Sequence, residues 1–179
     1  VTNIDREHMD YFKTTDALKG AFLSFMNNVP FYGCSILCIE DARIRGLLSS
    51  VHRKVITYGY SSDADLRAYG IKTGFMSVGF SASLRGRDLG EFTVPLAGGH
   101  NVLNSLAAIA VGLELQIPLE RIKEALMNFS GVQRRLEFKG EGRGVKVYDD
   151  YGHHPTEIKA TLKAVRESFD TGRLFVVFQ

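Results

Sequence analysis

Residues 148–157 read YDDYGHHPTE, and where they fall decides how the chain is organised. The strand-like Val145, Lys146 and Val147 precede them, and a helix-like run beginning at Pro155 follows. Their polar groups therefore collect at a strand's carboxyl end, the edge at which open α/β sheets place ligands. Two carboxylates (Asp149, Asp150), a phenol (Tyr151), Gly152 and two imidazoles (His153, His154) are more ionisable chemistry than a connecting loop requires. The plain structural alternative has Asp150 capping a turn, Gly152 supplying a positive φ, and His154-Pro155 opening a helix with Pro at its first position.

Outward from this stretch, strands and helices alternate. Upstream, residues 1–4 read as the end of a buried strand, followed by the polar turn Asp5 to His8. Thr15 or Asp16 can cap a helix whose Leu18, Phe22, Phe25 and Val29 recur at helical spacing. Residues 35–39 form an apolar strand, Asp41 caps an amphipathic segment over 42–51, and 54–58 give a second strand, which together make a parallel crossover. Residues 66–72, 75–84 and 91–95, separated by Gly74 and by 86–90, read as an antiparallel meander. A helix with Val102, Leu106, Ala110 and Leu113 inward follows, then Pro118 and a helix over 119–128 with Ile122, Leu126 and Phe129 at core spacing. The pattern restarts after Ser130-Gly131, where we place a domain boundary. Strands over 137–147, a helix over 155–169 and a parallel strand over 174–178 complete the reading. The expected class is α/β: a mixed, mainly parallel sheet with an antiparallel meander, then the start of a second, Rossmann-like domain.

Composition narrows the partners. The chain has 179 residues, 45% hydrophobic and 23% charged, with 22 basic and 20 acidic side chains and a net charge of +2. No basic stripe points to nucleic acid, so the expected partner is small. The longest apolar-rich run, 106–115, is broken by Gly112 and Glu114 and is too short to span a bilayer. No signal pattern supports export. Cys34 and Cys38 lie in one strand, about 13 Å apart and beyond the ~7 Å disulfide limit. They read as buried thiols in a reducing, cytoplasmic setting.

Three further constellations carry chemistry. In GGHNVLNS (98–105), glycines precede a helix, and Asn101 and Asn104 share a face of its first turn. An amide offers a donor and an acceptor, which suits an adenine edge, although a helix cap and a surface residue would look alike. Thr2-Asn3 is followed by Glu7-His8 and Asp10, where a histidine between acids is either solvated or a ligand. Gln133-Arg134-Arg135-Leu136 places an Arg pair beside the boundary, either as a salt-bridged hinge or as a phosphate fork. There is no G-x-x-x-x-G-K-[ST] phosphate loop in the chain.

Taken together and in this order, TNI…EHMD, GHNVLN, QRRL and DDYGHHPTE resemble the Mur ligases, and within them the branch joining L-alanine to UDP-N-acetylmuramate. The resemblance runs from Thr2 to the closing FVVFQ. It implies an ATP- and Mg²⁺-dependent ligase of peptidoglycan synthesis that works through an acyl phosphate. It implies a central ATP-binding domain over 1–131, lacking its phosphate loop, and the first βαβ unit of the C-terminal domain over 132–179. Such a fragment is expected to be inactive by itself. By resemblance His8 holds a metal, Asn101 and Asn104 bind adenine, Arg135 reaches ATP across the hinge, and Asp150 binds its ribose. Tyr151 and His153 would line the nucleotide and muramyl-substrate pocket. The alternatives are the related ligase that recycles a ready-made peptide, a nucleotide- or metal-binding module without catalysis, and a metal hydrolase built on His8, His153 and His154.

Overall fold

The computed structural model describes residues 1–169 and 172–178. After a single turn, α1 (Met9–Phe12), helix α2 (Thr15–Asn27) starts where Thr14 leaves extended backbone and its hydroxyl accepts the Ala17 N–H at 3.1 Å. The cap is thus one residue before Thr15 and two before Asp16. Leu18 and Met26 are the residues α2 buries, with Phe22 packed partly against the core. This i, i+4, i+8 row leaves Phe25 on the far side, 67% exposed, contrary to the expected stripe.

Strands β1 (Ser35–Cys38) and β2 (Val55–Gly59) are parallel, joined by α3 (Ala42–Leu47) and a 3₁₀ turn, Leu48–Ser50. Asp41 opens α3 by accepting the N–H groups of Arg43 and Ile44 at 2.8 and 2.9 Å. The α-helix ends sooner than the expected 42–51, one residue past Gly46, a poor helix former. Residues 1–4 are not assigned as a strand. They nevertheless lie along β1, with the Val1 carbonyl accepting the Cys38 N–H at 3.0 Å and Ile4 fully buried.

β3 (Leu66–Gly74) runs parallel to β2, and β4 (Ser77–Leu84) and β5 (Arg87–Val94) follow antiparallel, giving the order β1-β2-β3-β4-β5. The sheet is therefore mixed, with parallel and antiparallel pairings in equal share. Residues 86–90 are not the expected spacer. Arg85 and Gly86, both left-handed (φ 49 and 82), reverse the chain in two residues, as the twist of a hairpin favours, and β5 begins at once.

α4 (Gly99–Glu114) covers the parallel end of the sheet, burying Val102, Leu106, Ile109 and Ala110 into a core shared with Tyr58, Leu66 and Phe80. α5 (Leu119–Met127) buries Ile122, while Phe129, expected in the core, lies past the helix and is 42% exposed. Cys34 and Cys38 are free thiols; burial raises the pKa of each. No described helix is long and apolar enough to cross a membrane.

Beyond Gly131 an antiparallel hairpin, β6 (Glu137–Gly142) and β7 (Val145–Asp149), leads into α6 (Pro155–Ser168). The parallel strand expected over 174–178 does not form among the described residues: 174–178 are irregular, with Val177 97% exposed. A strand exists only where another supplies its hydrogen-bond ladder, and no described strand pairs with this run. Gln179 lies outside the described residues. The two parts of the chain meet through Phe75, at the β3–β4 turn, whose ring sits edge-on to Phe169 at 5.3 Å; Phe169 packs in turn on Tyr148 at 5.3 Å.

Candidate active site

A cleft of about 1120 Å³ lies between the two parts. One wall is the exit of β5, a face of α4 from His100 to Gly112 and a face of α5 from Arg121 to Leu126; the other is formed by Arg135, Leu136, Asp150 and the inner face of α6 from Thr156 to Ala164. The walls meet at Gly98, the N-cap of α4, with φ 93 and no side-chain cap. A Cβ at Gly98 would stand 2.7 Å from the Ala164 Cβ and 2.8 Å from the His100 ring, so only glycine lets α4 and α6 approach this closely.

Because Gly98 holds the cap, neither asparagine does. Asn101 instead donates from Nδ2 to the Ala97 carbonyl at 2.8 Å, and its Oδ1 accepts the Asn104 Nδ2 at 3.4 Å. This fixes Asn101 and aims Asn104, the exposed member of the pair, along the cleft. His100 shows surface to the cleft, yet the protein around its ring disfavours the imidazolium and lowers its pKa, outweighing the attraction of Asp150.

The second wall is a strained turn. Arg134 and Leu136 both have positive φ (57 and 49), a conformation that non-glycine residues adopt at a cost of about 1–3 kcal/mol each and that clusters at functional sites. It is held by Asp150, whose Oδ2 accepts the Leu136 N–H and whose Oδ1 accepts the Gly152 N–H, both at 2.8 Å. Glu137 accepts the Arg134 N–H at 2.8 Å, and the Arg134 carbonyl accepts the Tyr151 N–H at 2.7 Å. Between its left-handed neighbours Arg135 enters the cleft and reaches Glu157 Oε1 at 3.3 Å. Burial pushes the Glu157 pKa up, but the His153 and His154 N–H groups and Arg135 bring it below the usual glutamate value.

Of the residues singled out in the sequence, Asn101, Asn104, Arg135 and Asp150 thus share one cleft, and Asp150 also performs the turn-capping of the plain structural alternative. The other three lie outside it. Tyr151 is 53% exposed, with the Arg134 guanidinium over its ring at 4.8 Å and the His153 ring at 5.4 Å. His8 is an exposed, left-handed residue (φ 54) opening α1 with no side-chain cap bond; its segment enters the cleft through Thr2 and Asn3. Among the described residues no group of three or more His, Cys, Asp or Glu could hold a metal, so His8, His153 and His154 do not converge on one. Glu157 and His100 went unread, although both stand inside the quoted motifs. Asp5, whose carboxylate accepts the Thr156 hydroxyl from α6, left no sequence signal.

Residues 1–112 match the Mur ligase middle domain, and 134–179 match the Mur ligase glutamate ligase domain. The UDP-N-acetylmuramate–L-alanine ligases of Solibacter usitatus (strain Ellin6076) and Anaeromyxobacter dehalogenans (strain 2CP-C) are 49% and 50% identical over all 179 residues. The chain spans 38% and 39% of their lengths. Among solved structures, MurF from Acinetobacter baumannii has a TM-score of 0.78 at 27% identity, covering 93% of this chain and 36% of that one. The UDP-N-acetylmuramate-alanine ligase MurC from Thermotoga maritima has a TM-score of 0.77 at 26% identity, covering 94% and 37%. With the middle-domain match alone taking in more than half of its residues, the chain belongs to the Mur ligase family.

Proposed function

We propose that this chain supplies the nucleotide cleft of an ATP-dependent ligase joining L-alanine to UDP-N-acetylmuramate in peptidoglycan synthesis. The observation that carries the proposal is the convergence of Asn101 and Asn104 from one wall with Arg135 and Asp150 from the other. The names of its relatives support the choice of substrates. Residues 1–131 would form part of the ATP-binding domain and 132–179 the opening of the ligase domain.

The donor set suits ATP. Asn104, oriented by Asn101, offers the donor and acceptor that an adenine edge needs. Asp150 uses one lone pair of each oxygen on the backbone and keeps others for ribose hydroxyls. Arg135 gives Glu157 one of its five N–H donors, leaving a planar fork for phosphate oxygens. Tyr151 and His153, just outside the cleft, would flank the muramyl substrate. Magnesium fits less completely: the described residues assemble no full ligand set, His8 offers a single imidazole, and this ion prefers oxygen. His8 would contribute one ligand to it.

The chemistry left to these side chains is positioning and charge stabilisation, which carry most of phosphoryl transfer. Arg135 would neutralise phosphate charge, and the cleft would hold the nucleotide while the muramyl carboxylate is activated and the alanine amine attacks. The test is release of ADP by the complete protein given ATP, UDP-N-acetylmuramate and L-alanine. The proposal requires release that depends on both acceptors; release that ignores alanine but responds to a ready-made peptide would overturn it.

A further inference from the structure

We propose that Asp5 is a positioning residue that sets the width of the cleft by tying the N-terminal segment to the first turn of α6; this rests on the ATP reading above. Asp5 and Thr156 are 151 residues apart in sequence, yet the Thr156 hydroxyl donates to Asp5 Oδ2. His154 Nδ1, which accepts the Thr156 N–H at 3.3 Å, lies 3.5 Å from the same carboxylate oxygen.

Both ends of this clasp are anchored. The preceding Ile4 is fully buried; its N–H reaches Asp41 Oδ2 at 3.3 Å, and its carbonyl accepts Arg43 Nη1 at 2.9 Å. Asp5 therefore projects from a base fixed to the start of α3. Thr156 is followed by Glu157, which binds Arg135 and the His153 N–H. Thr2 and Asn3 line the cleft on one side of the clasp, and Thr156 and Glu157 line it on the other. The Thr156 hydroxyl is the chief influence holding the Asp5 carboxyl below its usual pKa, with the Arg6 N–H next. Loosening the clasp frees α6 to drift from α4, moving Arg135 and Glu157 relative to Asn104, and Asp5 itself does not line the cleft.

The test uses the complete ligase with Asp5→Ala, Thr156→Val, the double variant, and Thr156→Ser to restore the hydroxyl. Each single change is expected to lower kcat/KM for ATP by roughly 10- to 100-fold, the scale of a small misplacement in a pre-aligned site. The double variant should be no worse than the worse single, because both remove one interaction. Thr156→Ser should recover wild-type kinetics to within about threefold. Hydrogen exchange at the amides of residues 156–159 should quicken in Asp5→Ala. A lower melting temperature with unchanged kcat/KM, or losses that multiply in the double variant, would overturn the proposal. If the wild-type protein releases no ADP, the ATP reading fails; exchange then judges the clasp alone, and unchanged rates in Asp5→Ala would refute it.

Discussion

Replacing Gly98 by alanine tests the junction on which the cleft depends. Its φ of 93 and ψ of 145 lie where essentially only glycine is at ease, so a side chain there costs about 1–3 kcal/mol in backbone strain. The added Cβ would also stand 2.7 Å from the Ala164 Cβ, closer than carbon atoms pack, and the forced adjustment costs about 1–3 kcal/mol more. The His100 ring, at 2.8 Å, is a side chain that can rotate away and adds little. Gly98→Ala should therefore destabilise the protein by roughly 2–6 kcal/mol, measured by urea unfolding. The two contributions separate in an Ala164→Gly background, where the steric part vanishes and only the backbone strain, about 1–3 kcal/mol, persists. A Gly98→Ala cost below about 1 kcal/mol, or an equal cost in both backgrounds, would refute the close approach of α4 and α6.

Asp65 accepts the Thr57 N–H and hydroxyl at 2.9 and 3.0 Å and Arg85 Nε at 2.9 Å; burial pushes its pKa up, but these bonds bring it below the usual value. A lowered folded pKa contributes stability above the unfolded value of about 3.9 that is lost as pH falls through the folded value. Asp65→Asn should accordingly cost about 1.5–3 kcal/mol at pH 7, with the gap from wild type narrowing in acid; a gap constant from pH 7 to pH 2 would contradict this. In the complete ligase His8→Ala should lower turnover by about two orders of magnitude. His8→Asn tolerates the left-handed φ of 54, so its turnover separates imidazole from backbone: full activity there would make His8 a turn residue.

Much of the fold was legible because local signals agreed with the tertiary outcome. Asp41 before an amphipathic run, and the apolar runs on either side of it, each named an element that formed, down to the parallel crossover. Three of the misses share one physical origin, in partners the local pattern does not contain. Phe25 and Phe129 keep helical spacing, but which face is buried depends on what the helix meets, and α2 turned its Leu18–Phe22–Met26 row inward. The apolar run over 174–178 has strand composition and no ladder partner among the described residues. GHNVLN and QRRL pointed to Asn101, Asn104 and Arg135, which the fold brings to one cleft. The strain at Arg134 and Leu136 that presents Arg135 shows only in the backbone. Asp5, whose partner is 151 residues distant, could not have been read at all.

Whether this cleft reads adenine through Asn104 is decided by the ratio of kcat/KM for ATP to that for GTP in the complete protein, before and after Asn104→Ala. A site built to hydrogen-bond one base loses discrimination when its partner is removed. Because Gly98 is the helix cap, Asn104 has no orphan helix donor to satisfy, and the melting temperature should barely move. Asn104→Ala should raise the KM for ATP and reduce the ATP-to-GTP ratio at unchanged stability. An Asn104→Ala enzyme that melts early while keeping the wild-type ratio would contradict it.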